Sequence, residues 1–236
     1  MNALKAIFFD IDDTLYSTSF FAARARRNSV RAMISLGLNF PEKMLLHELE
    51  EVIREFSSNY EHHFDKLLLR IPKEAYKGIN PTVLVAGAVI AYHETKSREL
   101  LPFPDVMSML NALSKIELIR GVITDGLSVK QSEKLIRLKL YRLFTPGAIF
   151  ISDEIGISKP NIKLYQRVCN VLNLEPATVM YVGDDPVNDI DPAKALGMIT
   201  VLIRRGGKYL IRKGRLKPDY QVDNFRQLSK IIRAKL

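Results

Sequence analysis

Lys5-Ala6-Ile7-Phe8-Phe9-Asp10-Ile11-Asp12-Asp13-Thr14-Leu15 is the stretch on which the reading of this chain turns. The unbroken apolar run Ala6 to Phe9 stops at three carboxylates, Asp10, Asp12 and Asp13, within four positions. An apolar run of this length bounded by polar residues reads as a strand buried on both faces. The acids then sit at its carboxyl end, where ligands bind in open parallel α/β sheets. Carboxylates crowded this closely repel one another unless a cation or strong donors join them. The set asks for a hard divalent ion such as Mg²⁺, which takes one or two carboxylates together with substrate oxygens. Taken alone, the same residues also fit a strand followed by an acidic turn that caps a helix.

Working outward, the chain has 236 residues, room for one large domain or for a core with a smaller insertion. With 47% hydrophobic residues it can bury a sizeable core. No apolar run reaches the roughly 18 residues of a membrane-spanning helix. The longest candidate, Val83 to Ala91, reads as a buried helix. The N-terminus leads straight into the strand without a secretory pattern, and the single cysteine, Cys169, excludes an internal disulfide. Both predict a cytoplasmic protein. Cys169 shares a helical pattern with Leu164 and Leu172 and is expected in the core. A net charge of +9 suits an anionic partner, either a phosphorylated metabolite or nucleic acid.

From about Ser17 to Arg98 nothing reads as a strand. Ser19 to Leu36 has helical periodicity, with Gly37 as its stop. Apolar residues then recur at helical steps from Leu45 to Leu67, as one long helix or two with a kink. Asn80-Pro81 marks a further start, a cap residue followed by a first-turn proline. The Val83 to Tyr92 helix is apolar nearly all round and should be the buried one of the group. Residues 17–98 therefore form an inserted all-helical domain, and 1–16 with 99–236 form the core. After Pro104 strands and helices alternate. Strands are expected at Leu118–Ile123, Gly147–Ile151, Thr178–Val182, Ile199–Ile203 and Tyr220–Val222. Helices fall between them, including Val187–Leu196, and the last is Phe225–Ala234. Such a series predicts an α/β fold, a doubly wound parallel sheet.

Asp10 and Asp12, Thr124, Lys159, and Asp184 with Asp189 all fall just after predicted strands or in the next loop. A parallel sheet brings its strand ends to one edge, so these residues can converge on one crevice. Together they offer a carboxylate nucleophile, acids for a metal, and a hydroxyl and an ammonium for phosphate oxygens. That is the equipment of phosphoryl transfer.

The ordered set resembles the four motifs of the haloacid dehalogenase-like hydrolase superfamily. They are matched by Phe8-Phe9-Asp10-Ile11-Asp12-Asp13-Thr14, Val122-Ile123-Thr124, Lys159-Pro160, and Val182-Gly183-Asp184-Asp185 with Asp189. Each motif alone is weak; the four in order, with a helical insertion after the first, are specific. The resemblance implies a Rossmann-like core with a helical cap. It implies that Asp10 attacks phosphorus to form an aspartyl-phosphate and that Asp12 protonates the leaving oxygen, then activates water. Thr14 would brace the loop by hydrogen bonding. Thr124, with backbone N–H groups near Gly126, would bind phosphate oxygens, and Lys159 would offset the charge on phosphate and on Asp10. Mg²⁺ would be held by Asp10, the Asp12 carbonyl and Asp184, with Asp185 the alternative to Asp184. Asp189 would orient Lys159 or a water on the metal from behind.

Plain readings accompany these. Thr124 could simply end a strand, Lys159 could be an exposed loop lysine, and Asp184-Asp185-Pro186 could be only a helix start. Asp191 reads best as a solvated helix charge. Asp125 stands where the family often has asparagine and should turn away from the phosphate. Pro192 stands where glycine is common and should kink or shorten its helix. The four histidines, His47, His62, His63 and His93, lie in the insertion at spacings unsuited to a metal. The segment Arg204 to Lys217 carries seven basic residues and no acid, and reads as a mobile loop that could steer an anionic substrate.

The leading expectation is a Mg²⁺-dependent phosphatase of a small phosphorylated metabolite; the resemblance, through the microbial branch of that superfamily, points to a three-carbon sugar phosphate such as glyceraldehyde 3-phosphate, or to phosphoglycolate. A phosphomutase shares its first steps. A dehalogenase would lack the carboxylate at Asp12. The alternative from another class is a non-enzymatic basic protein that binds nucleic acid or a partner, which the intact acid set opposes. Monomer and homodimer both remain open.

Overall fold

Ala6, Ile7, Phe8 and Phe9 have no exposed surface, as an apolar run without alternation requires. They form β1 (Ala6–Phe9), from which the sheet grows in both directions. The computed structural model describes residues 3–236. On one side of β1 lie β2 (Ile119–Thr124) and β3 (Ile149–Ile151); on the other lie β4 (Val179–Gly183), β5 (Ile199–Ile203) and β6 (Tyr220–Val222). Every pairing is parallel, so the doubly wound sheet expected from the alternation is formed. The strand order reverses between β1 and β4, and the crevice of such a sheet opens there. Phe9 pairs with Val182, and the Asp10 N–H donates to the Val182 carbonyl at 2.9 Å. Asp10 and Asp184 therefore leave the sheet as neighbours.

The chain divides into two compact units, Phe20–Leu100 and the remainder of the described residues. Helix α1 (Thr18–Ser35) leads into the first, which continues with α2 (Glu42–Phe56), α3 (His63–Arg70) and α4 (Pro81–Glu99). Its own core gathers Met33, Leu45, Leu49, Leu67, Leu84 and Ala88. The run from Leu45 to Leu67 is two helices, parted at Ser57, whose φ of 70° no α-helix accommodates. Asn80 caps α4 by accepting from the Thr82 N–H at 2.9 Å, with Pro81 in the first turn. The expectation that α4 is buried all round is corrected. Leu84 and Ala88 are fully covered, but Val83 is 49% and Ile90 59% exposed. A unit of this size has too little interior to cover every face of an apolar helix. Among the described residues no helix is long and apolar enough to cross a membrane.

In the sheet unit, α5 (Val106–Leu113), α6 (Ser128–Arg137), α7 (Ser152–Ile155), α8 (Ile162–Val171), α9 (Asp191–Ala195) and α10 (Phe225–Arg233) accompany the strands. Phe8, Ile123, Phe150, Tyr165 and Tyr181 pack together with the buried Cys169. Burying a Phe or Ile side chain of this kind contributes about 1.5–3 kcal/mol. The expected Val187–Leu196 helix is instead a π-helical turn, Pro186–Ile190, followed by the short α9. Pro192 has no N–H to give, so the regular ladder cannot run through it.

The basic segment 204–217 is not loose. Arg205 holds Asp105, Arg212 Nη1 holds Asp185 Oδ2 at 2.7 Å, and the Arg215 and Leu216 N–H groups donate to the Asp191 carboxylate at 2.9 and 2.8 Å. Asp191 is thus a loop anchor rather than a solvated helix charge.

Candidate active site

Lys159 lies in the loop between α7 and α8, far from β1 in sequence, yet its ammonium donates to Asp10 Oδ1 and Asp189 Oδ1, both at 2.7 Å. All three side chains are at least nine-tenths buried. The lysine is aimed from several sides. Its own N–H donates to Asp125 Oδ1 at 3.0 Å, and its ammonium lies 5.4 Å from the centre of the Tyr181 ring. Asp189 is fixed in turn by the Asp185 N–H, which donates to its Oδ2 at 3.0 Å. Gly183 makes room for this carboxylate, because a Cβ there would run into it.

Burial sets the electrostatics. It pushes Asp10 up to about 7, with Lys159 pulling against it and Asp189 and Asp12 adding to it. It pushes Asp184 up to about 9, with Asp189, Asp10 and Asp13 adding. Burial opposes the Lys159 charge, but Asp10 and Asp189 outweigh it and hold its ammonium firmly protonated. Buried acids outnumber the cation, and such a group is stable only as acids kept protonated or as carboxylates around another cation. One carboxylate oxygen from each of Asp10, Asp184 and Asp189 lies within 4.8 Å of the others. Asp184 Oδ2 is buried with no hydrogen-bond partner among the described residues. The donors are hard oxygens with one unsatisfied, and they fit a small divalent cation. Asp185, by contrast, is occupied, accepting from the Val187 N–H, Asn188 Nδ2 and Arg212.

Thr124 ends β2 at the same edge, and its buried hydroxyl likewise has no partner among the described residues. Gly126 takes a φ of 131°, and its N–H donates to Ser152 Oγ at 3.1 Å, so that donor is engaged rather than left for a phosphate oxygen. The Thr14 hydroxyl is buried without a partner among the described residues, so the brace expected of it is not formed. The bracing comes from Asp13, which adopts φ 53° and accepts from the Ser19 N–H and hydroxyl at 3.1 and 2.8 Å. The Asp12 carboxylate stands apart from the trio and is held by Tyr16, Thr18 and Lys134.

Sequence reading misses Lys134, Tyr16, Tyr181 and the aiming role of Asp125. One signal was available: helical side chains lean toward the N-terminus, so a lysine on α6 can reach back to the strand ends.

The haloacid dehalogenase-like hydrolase family model matches residues 7–203. The chain is 44% identical over 236 residues to a glyceraldehyde 3-phosphate phosphatase of Methanopyrus kandleri, covering 98% of this chain and 97% of that one. A protein of the same name from Methanocaldococcus jannaschii is 38% identical over 230 residues, with the same coverage of 98% and 97%. Among solved structures, a HAD phosphatase from Thermococcus onnurineus matches with a TM-score of 0.65 at 22% identity, over 97% of this chain and 98% of that one. A 2-haloacid dehalogenase from Pseudomonas syringae matches with a TM-score of 0.62 at 24% identity, over 98% and 99%. Two chemistries on one fold mean that the structural likeness speaks for the fold alone. The match of family model and of full-length phosphatase relatives makes this chain an enzyme of the haloacid dehalogenase-like hydrolase family.

Proposed function

We propose that the chain is a Mg²⁺-dependent phosphatase of a small phosphorylated metabolite, with glyceraldehyde 3-phosphate the favoured substrate. The observation that carries the reading is the Lys159 ammonium shared by Asp10 and Asp189. Beside it stand two buried groups without partners among the described residues, the Thr124 hydroxyl and Asp184 Oδ2. A carboxylate nucleophile with its countercharge in place, next to unsatisfied donor and acceptor atoms, suits a phosphoryl group that satisfies both. The names borne by the relatives at 44% and 38% identity favour the three-carbon substrate.

In this reading Lys159 occupies Asp10 Oδ1, leaving Oδ2 to attack phosphorus. The bond from phosphorus to the leaving alkoxide breaks as Asp12 gives that oxygen a proton. The aspartyl-phosphate on Asp10 is then hydrolysed: Asp12 takes a proton from water, the water oxygen bonds to phosphorus, and Asp10 is released. Thr124 and Lys159 hold phosphoryl oxygens throughout. When bound, Mg²⁺ supplies positive charge against the phosphoryl oxygens, held by Asp10, Asp184 and the Asp12 carbonyl. Asp189 keeps Lys159 in line. We assign the choice of leaving group to the helical unit Phe20–Leu100 in its role as cap. The Cys169 thiol, buried and free, suits a reducing cytoplasm.

The test is free phosphate release over a panel of glyceraldehyde 3-phosphate, phosphoglycolate, other small esters and a phosphopeptide, with Mg²⁺ and with EDTA. Release from small esters that EDTA abolishes is expected. Preference for the phosphopeptide would overturn the metabolite reading, and no release from any ester would overturn the phosphatase.

A further inference from the structure

The mechanism asks Asp12 to give and to take a proton at a defined place, and the structure surrounds this carboxylate unevenly. Its Oδ1 accepts three hydrogen bonds, from the Tyr16 hydroxyl at 2.6 Å, the Thr18 hydroxyl at 2.7 Å and Lys134 Nζ at 2.7 Å. Its Oδ2 accepts from Lys134 Nζ at 2.7 Å. Tyr16 is 2% exposed, and the Lys134 ammonium lies 5.9 Å from the centre of its ring. The lysine reaches Asp12 across 122 residues of sequence, from the last turn of α6, the helix that follows the Thr124 strand.

We infer that Lys134 is a positioning residue for the phosphatase reaction: with Tyr16 and Thr18 it immobilises the Asp12 carboxylate so that Oδ2 is the oxygen that transfers the proton. The inference rests on the phosphatase reading. Oδ1 already has three donors, so a proton arriving there would displace one of them. Oδ2 has a single donor and keeps a lone pair for the substrate oxygen or for water. An exposed ion pair would leave its carboxylate free to rotate. Here the Lys134 side chain is 18% exposed and grips both oxygens, while two hydroxyls fix the rotation. Misplacement of a catalytic group by about 1 Å can cost on the order of 100-fold in rate, so a side chain that touches no substrate can still govern turnover. A lysine suits the task because its ammonium is a compact charge with rotatable donors.

The experiment compares Lys134→Met and Lys134→Arg with the parent enzyme on a small alkyl phosphate and on p-nitrophenyl phosphate, whose leaving group departs without a proton. For Lys134→Met we expect kcat on the alkyl ester to fall about 100-fold with KM nearly unchanged. On p-nitrophenyl phosphate the first burst of nitrophenolate should keep its rate, while the following turnover, which needs Asp12 to activate water, slows. Lys134→Arg should recover much of the loss. Loss spread equally over the alkyl reaction and the nitrophenolate burst, or no loss at all, would overturn the inference. A crystal structure of Lys134→Met supplies a readout independent of activity. The Asp12 carboxylate should be found rotated or in several positions, and an unmoved, single position overturns the inference. If the parent enzyme releases phosphate from no ester, the phosphatase reading fails, and the crystal structure still decides whether Lys134 sets the position of Asp12.

Discussion

Arg205 and Asp105, separated by 100 residues, meet at two points, Nη1 to Oδ1 at 2.6 Å and Nη2 to Oδ2 at 2.9 Å. The guanidinium lies between two aromatic rings, 4.6 Å from the centre of Phe103 and 4.3 Å from that of Phe225. Asp105 Oδ2 also accepts from the Phe225 N–H at 2.7 Å. One side chain thus ties the segment after β5 to the starts of α5 and α10.

Removing Asp105 strands a guanidinium that is only 6% exposed. A fully buried pair broken in this way costs about 3–5 kcal/mol; the partial exposure of Asp105 reduces the expectation for Asp105→Ala to about 2–3 kcal/mol. Burial alone would raise the Asp105 carboxyl, but the bonds from Arg205 and the Phe225 N–H outweigh it and hold it below its usual value. A depressed folded-state value means stability that is present above the unfolded value, about 3.9. That stability is lost as pH falls through the folded value. Urea unfolding at neutral and acid pH checks this: the gap between parent and Asp105→Ala should narrow on acidification, and a constant gap contradicts it.

Asp10→Asn keeps the shape of the side chain and removes the nucleophile. Phosphate release should drop by about 10³-fold or more, with an unchanged far-UV spectrum, because Asp189 still pairs with Lys159. Substantial turnover in a clean preparation would remove Asp10 from its role.

Thr124→Val separates stability from activity. The hydroxyl is buried and unpartnered among the described residues, so its replacement should leave the unfolding free energy unchanged or raise it by up to about 1 kcal/mol. The loss of a phosphate contact should lower kcat/KM by about 10–100-fold. A variant both unstable and fully active would contradict the assignment.

Asp184 gives a metal test that needs no substrate. Mg²⁺ should raise the thermal midpoint of the parent protein, adding about 2.7 kcal/mol at a hundred times its Kd. Asp184→Asn should abolish that response. It should also make the metal-free protein more stable, by on the order of 1 kcal/mol, because a carboxyl pushed up by burial and its acidic neighbours is replaced by a neutral amide. Differential scanning fluorimetry with and without Mg²⁺ reads both effects.

Much of this is legible in sequence, for physical reasons. The apolar run Ala6–Phe9, cut off by three acids, reads as a doubly covered strand, and Asn80-Pro81 carries its own capping chemistry. Lys159 is legible only because three other motifs accompany it. What escapes depends on contacts between distant residues. Helical periodicity reports which face of α6 is apolar, not that Lys134 reaches Asp12. The seven positive charges of 204–217 suggest mobility, yet Asp105, Asp185 and Asp191 pin the segment, and no local pattern announces those partners. The apolar stretch at Val83–Tyr92 overstates burial, because composition does not reveal how much interior a small helical unit can offer.

The central place of β1 carries a consequence for how the chain reaches this state during synthesis. Ala6–Phe9 is made well before its neighbours in the sheet, Ile119–Thr124 and Val179–Gly183. This strand, which Asp10 follows, must therefore wait, unpaired and wholly apolar, until Ile119–Thr124 has been made. Pairings that close such long loops are slow, and unpaired apolar strands invite aggregation meanwhile. The helical unit Phe20–Leu100 draws its contacts from nearby sequence and can fold during that interval. The insertion between the first motif and the rest thus lengthens the interval between the making of the nucleophile's strand and the arrival of its first partner, β2.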